Sequence, residues 1–379
     1  MTVRRRVVAM VSVCVAMVAV GCTPPPTGGA GPVPACPVRQ TVVVEQTDQT
    51  DFSLVRGISD NGRWLVTSRT IGTDLELTLR EVGSTAPGTA IGTIEDFHSW
   101  DPNRVAVSDD GQRVVFDATP SAFPFEQPSR WDRSSGSVEP LSPPEPGASL
   151  QQVSYDLRLA AWSTEDGATT FTVTDTLTDA VIGTSWTGVA RPHQHQVASP
   201  TGRFAWVGGI GSIPHAIADY SNGTTLPLSP AIAQIGDGWE HLAVEAISPD
   251  GSKVIFSGER FSAGSWRSNV WAWDFDTETL RELDPAAYGG RIADDGRAVL
   301  IRPQSFPVVG HAIEEYAVDG SVTTIHAGSP VNWLIGTPDP ASPAPQAQFL
   351  ATPDLRTVAF TTFASPVPPT ARVVAARCS

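Results

Sequence analysis

His193 and His195 are the two side chains in this 379-residue sequence best spaced for chemistry. Residues two apart on a β-strand project to the same side, so the two imidazoles would stand together. Glu240, His241 and Glu245 approach a similar turn further along the chain. Two histidine nitrogens and a carboxylate form a donor set for a divalent metal, and a bound metal there would suit hydrolytic or lyase chemistry. The competing expectation is a pair of solvated loop histidines following Pro192. A second group, His98, Ser99, Trp100 and Asp101, reads as an ordinary loop.

Other chemistry is harder to find. Lys253 is the only lysine and follows no glycine-rich phosphate loop, and no G-x-S-x-G, H-E-x-x-H or C-x-x-C occurs. Asp274, Asp276 and Glu278 are spaced like the first ligands of a calcium loop, but Thr279 stands where that loop needs Gly and Pro285 where it needs Glu. A hairpin turn is expected instead. No cofactor is called for beyond the divalent ion at His193, His195, His241 and Glu245. The 11 tryptophans invite a sugar-stacking reading, yet Trp64, Trp162, Trp206, Trp271 and Trp273 alternate along apolar strands and are expected in the core. Trp100, Trp186, Trp239 and Trp266 lie in less regular stretches and are better suited to exposed contacts.

The elements that must position these residues are legible in composition and repetition. The chain is 41% hydrophobic and 17% charged, with 33 Gly and 33 Pro; it has enough apolar residues for a core and a composition that disfavours helices. One motif recurs seven times, as in Ile58-Ser59-Asp60-Asn61-Gly62, Val107-Ser108-Asp109-Asp110-Gly111, Val153-Ser154-Tyr155-Asp156-Leu157 and Ala198-Ser199-Pro200-Thr201-Gly202. The remaining copies are Ile247-Ser248-Pro249-Asp250-Gly251, Ile292-Ala293-Asp294-Asp295-Gly296 and Ala351-Thr352-Pro353-Asp354-Leu355. At the Gly position the spacings are 49, 46, 45, 49, 45 and 59 residues. Ser or Thr bonds backbone locally, Pro presets φ, and Gly supplies the positive φ of a tight hairpin. Leu157 and Leu355 replace that Gly, and a branched side chain at positive φ is costly, so these two turns are expected to use another geometry. An alternating strand follows each motif, and a W-D or A-D strand and a fourth strand complete each unit.

Four short antiparallel strands every 45 to 49 residues is the arithmetic of a propeller blade. The S-P-D-G turn, the alternating strand and the W-D or A-D strand resemble the TolB-type, WD40-like repeat over residues 41–379. The resemblance implies an all-β, seven-bladed β-propeller whose innermost strands line a central channel, and it implies no single activity. Arg56, Gln151, Gln196 and Glu245 each stand six places before their motif's Gly or its equivalent and are the expected polar lining of that channel.

Arg4, Arg5 and Arg6 precede an apolar run from Val7 to Gly21, too short for a membrane-spanning helix, so residues 1–21 read as a signal peptide. Ala19-Val20-Gly21-Cys22 resembles the lipobox of bacterial lipoproteins, with Ala19 in place of the usual Leu. That resemblance implies a diacylglycerol on Cys22 as the first mature residue, and an extracytoplasmic domain anchored to the cell membrane. The arginines leave general and twin-arginine export both open. Residues 22–40 read as a Pro/Gly-rich tether. Three of the 25 basic residues and none of the 40 acidic ones lie in residues 1–21, so the mature chain carries a net charge of −18. Nucleic acid is therefore not an expected partner.

The last unit has strands near 349–351, 357–361 and 371–376 and then ends, while the β-branched Thr41–Glu45 has no unit of its own. The amino-terminal strand is expected to complete the last blade. In an oxidising compartment, Cys36 and Cys378 then face each other where other blades have a hairpin turn, and a disulfide is expected there; the alternative is two free thiols. The leading expectation is a monomeric, lipid-anchored scaffold that binds an envelope protein, polymer or ligand through one face. The second is a channel-mouth enzyme or metal-dependent binder using His193, His195 and Glu245. The third is a domain that stabilises envelope assembly without a pocket.

Overall fold

Each repeated motif folds as the turn of an inner hairpin, held by a hydroxyl. The Oγ of Ser59, Ser108, Ser154, Ser199 and Ser248 and the Oγ1 of Thr352 each accept the backbone N–H five residues on, at 2.9–3.2 Å. Four of these hydroxyls also donate to the Asn61, Asp110, Asp250 or Asp354 side chain two residues on, at 2.7–2.8 Å. That side chain in turn accepts the N–H two residues beyond itself, as Asp250 does from Ser252 at 2.9 Å. Ala293 has no hydroxyl, and its turn is one residue shorter: its N–H donates to Arg297 O, whereas Ser248 N–H donates to Lys253 O.

The computed structural model describes residues 38–46, 53–71, 74–94, 105–117, 128–154, 157–163, 172–184, 198–207, 216–236, 238–262, 265–285, 287–304, 310–326, 349–366 and 369–378. These form seven antiparallel sheets. From inner to outer strand, blade 1 holds Ser53–Ile58, Trp64–Ile71, Asp74–Glu81 and Thr89–Ile94. Blade 2 holds Val105–Val107, Arg113–Asp117, Pro128–Asp132 and Val138–Pro140. Blade 3 holds Ser149–Val153, Leu159–Ser163, Thr172–Asp175 and Val181–Thr184. Blade 4 has Phe204–Val207, Ala216–Asp219 and Thr224–Pro227, with its inner position marked by a single bridge from Ala198 to Ala205. Blade 5 holds Glu240–Ile247, Lys253–Ser262, Ser265–Asp274 and Thr279–Asp284. Blade 6 holds Tyr288–Ile292, Ala298–Gln304, Gly310–Tyr316 and Val322–His326.

Blade 7 joins the two ends of the chain. Its inner three strands are Phe349–Ala351, Thr357–Pro366 and Pro369–Cys378, and its outer strand is Val38–Gln46. The register sets Val38 opposite Cys378 and Val42 opposite Val374, which is the closure the unpartnered β-branched segment implies. Cys36 lies outside the described residues.

Period-two alternation gives each blade two apolar faces, and these assemble seven buried clusters, each shared by neighbouring blades. Trp64 and Val66 meet Val107 and Phe116 between blades 1 and 2. Leu65, on the opposite face of the same strand, meets Ala359 and Ala375 between blades 7 and 1. The other five clusters fill the remaining interfaces in order, so the ring closes. Trp162, Trp206, Trp271 and Trp273 lie in or against these clusters, as their alternation predicts.

The turns at Leu157 and Leu355 correct one expectation. Their φ values are 57° and 58°, in the same left-handed region as Gly111 at 66° and Gly251 at 76°. What differs is the neighbour. A Cβ on Gly111 would lie 2.5 Å from the Trp64 ring of blade 1, and one on Gly251 2.6 Å from the Phe204 ring of blade 4. The residues equivalent to Trp64 and Phe204 in the blades preceding Leu157 and Leu355 are Arg113 and Arg297, whose carbonyls accept the same turn N–H. Arg113 runs outward to Leu177 O at 2.8 Å and Arg297 to Asp354 O at 3.0 Å, so neither sets a ring against the turn. Leu157 and Leu355 are accordingly buried in the interblade clusters, where apolar burial offsets the strain of the left-handed backbone.

Candidate functional site

Three of the four residues expected to line the channel share a structural position. In blade 1 the inner register steps from Val55–Thr67 to Gly57–Val66, leaving Arg56 as the extra residue of a β-bulge. The same break isolates Gln151 in blade 3 and Glu245 in blade 5. A bulge bends the strand and re-aims one side chain, so the common spacing of six residues before the turn marks a backbone irregularity. Gln196 lies outside the described residues.

The three side chains have different fates. Arg56 is buried, and its Nε donates to Ser68 Oγ at 2.7 Å on the second strand. Burial lowers its guanidinium pKa to about 10. Glu245 repeats this arrangement with opposite charge: it is buried, and Ser257, twelve residues on as Ser68 is from Arg56, donates its hydroxyl to Glu245 Oε1. Burial pushes the Glu245 carboxyl up to about 7, against the opposing pull of the Ser257 hydrogen bond and the positive charge of Arg291 in blade 6. Gln151 is exposed and donates to Ser149 Oγ at 2.8 Å.

His193 and His195 lie outside the described residues. His241 is placed by its backbone on the inner strand of blade 5, the strand that carries Glu245. Among the described residues no group of three or more His, Cys, Asp or Glu side chains is arranged to hold a metal ion. Asp274 caps the outer hairpin of blade 5, accepting the N–H groups of Asp276 at 2.9 Å and Thr277 at 3.1 Å. Lys253 pairs with it at 3.3 Å, so this segment is the turn its sequence suggests.

Sequence reasoning missed two clusters. Between blades 5 and 6 the Tyr316 hydroxyl lies 2.9 Å from both Asp284 Oδ2 and Glu314 Oε2, all three residues being buried. Burial and the two acidic partners raise the phenol's pKa. Arg302 reaches Asp284 at 3.3 Å and Glu314 at 3.9 Å from a half-exposed position. Glu314 and Tyr316 share one strand, while Asp284 and Arg302 lie on two others, one of them in the neighbouring blade, and no local pattern announces the meeting of all four. The second cluster surrounds Trp239 on the outside of blade 5, where a cleft of about 450 Å³ opens beside helix α1 (Ser229–Ile235). Trp239 had a signal, its irregular setting, but Arg260 and Asn269 had none.

No protein-family model matches the sequence, and no curated protein matches it significantly. Among solved structures, an oligogalacturonate lyase in complex with manganese is 13% identical, with a TM-score of 0.49, over 90% of this chain and 98% of that one. The β-propeller domain of the trilobed protease from Pyrococcus furiosus is 12% identical, with a TM-score of 0.46, over 82% of this chain and 91% of that one. TolB from Acinetobacter baumannii is 11% identical, with a TM-score of 0.34, over 85% of this chain and 63% of that one. These are likenesses of fold alone. With seven blades closed through the terminal strand, the chain is a seven-bladed β-propeller.

Proposed function

We propose that the chain is a lipid-anchored, extracytoplasmic propeller that binds an envelope protein, polymer or ligand through one face of its ring. The observation that carries this reading is the division of labour within the fold. Strands and inner turns are committed to packing and local hydrogen bonds, which leaves recognition to the loops between blades, its usual place on such a scaffold. The lipobox-like Ala19-Val20-Gly21-Cys22 and the Pro/Gly-rich stretch after it supply anchor and tether. The mature net charge of −18 discourages flat contact with anionic lipid.

The test is cross-linking and recovery of the lipidated protein from membranes beside a Cys22→Ser variant. Wild type is expected in the membrane fraction with a reproducible cross-linked partner, and the variant in the soluble fraction without it. Equal membrane association of both would sink the anchor, and a ring that cross-links nothing at its loops would sink the scaffold.

A second reading keeps His193, His195 and Glu245 as a metal-dependent or hydrolytic site at the channel mouth. It is favoured by Glu245, a buried carboxyl poised near 7 as a general base would be. Calorimetric titration with manganese and zinc tests it: binding that disappears in His193→Ala supports it, and no binding removes it.

A further inference from the structure

Among the described residues, the strands of blade 5 are longer than those of blade 4. The two central strands of blade 5 have ten residues each, against four in each described strand of blade 4. Pairing and alternation put Arg260, Asn269 and Trp271 on one face of these long strands, with Arg267 opposite Arg260 in the register. Among the described residues, helix α1 and Trp239 cover part of that face, and the cleft of about 450 Å³ lies between. That size falls within the range of small-molecule sites.

The chemistry of its lining is one-sided. Arg260 stacks on Trp239 with its Cζ 4.8 Å from the ring centroid, and Trp239 meets Trp271 edge-on at 4.6 Å. In a chain with 40 acidic residues against 25 basic ones, Arg260 has no carboxylate partner among the described residues. Its Nε is shut away from water with no acceptor, a condition an incoming acceptor would relieve. Asn269 gives its carbonyl oxygen to Val270 N–H at 2.8 Å, so what it offers the cleft is its amide donor. Indole and aliphatic surfaces from Trp271 and Leu280 form the apolar wall, and Glu282 stands at the edge. Among the described lining residues, Arg260 is the one guanidinium and the exposed Glu282 the one acid, a balance that suits a single negative charge better than a phosphate dianion.

We propose that this cleft binds a small monoanionic carboxylate carried on a flat apolar or aromatic body, with Arg260 and Asn269 holding the carboxylate and the Trp239–Trp271 pair holding the body. The site depends on neither the membrane anchor nor the channel histidines. The test uses the soluble mature chain with phenylacetate as probe, phenylacetamide as its neutral isostere and phenyl phosphate as the dianion, followed by calorimetry and indole fluorescence. Phenylacetate is expected to bind saturably and the other two much more weakly. Arg260→Gln should weaken phenylacetate about 10- to 100-fold, the loss of a charge-assisted pair, while Arg260→Lys keeps part of the affinity. If Arg260→Gln does not fold, the isostere comparison on wild type and the Lys variant decide alone. Equal binding of acid and amide, undiminished binding by Arg260→Gln, or no saturation at millimolar phenylacetate would overturn the proposal.

Discussion

Replacing Glu245 with Gln should alter the pH dependence of stability in one direction. In the folded chain burial raises the Glu245 carboxyl from 4.5 to about 7. The folded state therefore binds more protons than the unfolded state between these values, and its stability must fall as pH rises through that window. Below about pH 4.5 the carboxyl is neutral in both states and contributes no penalty. Above about pH 7 it is ionised in both, and a shift of this size corresponds to a cost on the order of 3 kcal/mol. Gln keeps an oxygen for the Ser257 hydroxyl and never ionises. Urea unfolding of wild type and Glu245→Gln, compared at matched pH, cancels the groups the two share. The variant's advantage should be near zero at pH 4.5 and grow to about 3 kcal/mol by pH 8. A difference that stays flat across this range would refute the burial-driven shift, and one of opposite sign would mean that the attraction of Arg291 outweighs desolvation.

Gly251→Ala should cost about 2–4 kcal/mol, because its Cβ would meet the Phe204 ring at 2.6 Å on a backbone at φ 76°; chemical denaturation measures it, and a neutral result would contradict the interblade contact. Tyr316→Phe removes the hydroxyl between two buried carboxylates and should cost about 1–3 kcal/mol by the same assay. An unchanged unfolding midpoint would mean that Arg302 alone suffices for Asp284 and Glu314. Because Val38 stands opposite Cys378, the exported chain should contain a Cys36–Cys378 disulfide. Intact mass before and after reduction would differ by two hydrogens, and free thiols at both positions would remove the latch.

Much of this architecture was legible because its signals are local. The Ser–Asx–Gly turns close on themselves within five residues, so seven similar turns announced seven similar hairpins, and the β-branched Thr41–Glu45 announced the missing strand. The bulges at Arg56, Gln151 and Glu245 appeared in the sequence only as a shared spacing, since a register break depends on how two strands meet. The left-handed Leu157 and Leu355 were misjudged because the choice between Gly and Leu is made by the residue facing the turn from the preceding blade. Helix α1 has one Pro in its first turn and no capping side chain, so nothing in its seven residues advertised it. The cleft beside Trp239 draws its lining from helix α1 and from three strands of blade 5, residues that meet only in the assembled ring. His193 and His195 were the plainest chemical signal in the chain and lie outside the described residues.

The most direct test of the anchored-scaffold account is mass spectrometry of the amino-terminal peptide from the protein extracted from membranes of cells that process lipoproteins. The account predicts a chain beginning at Cys22 with a thioether-linked diacylglycerol. An unmodified Cys22 inside a longer or differently cut peptide would contradict it.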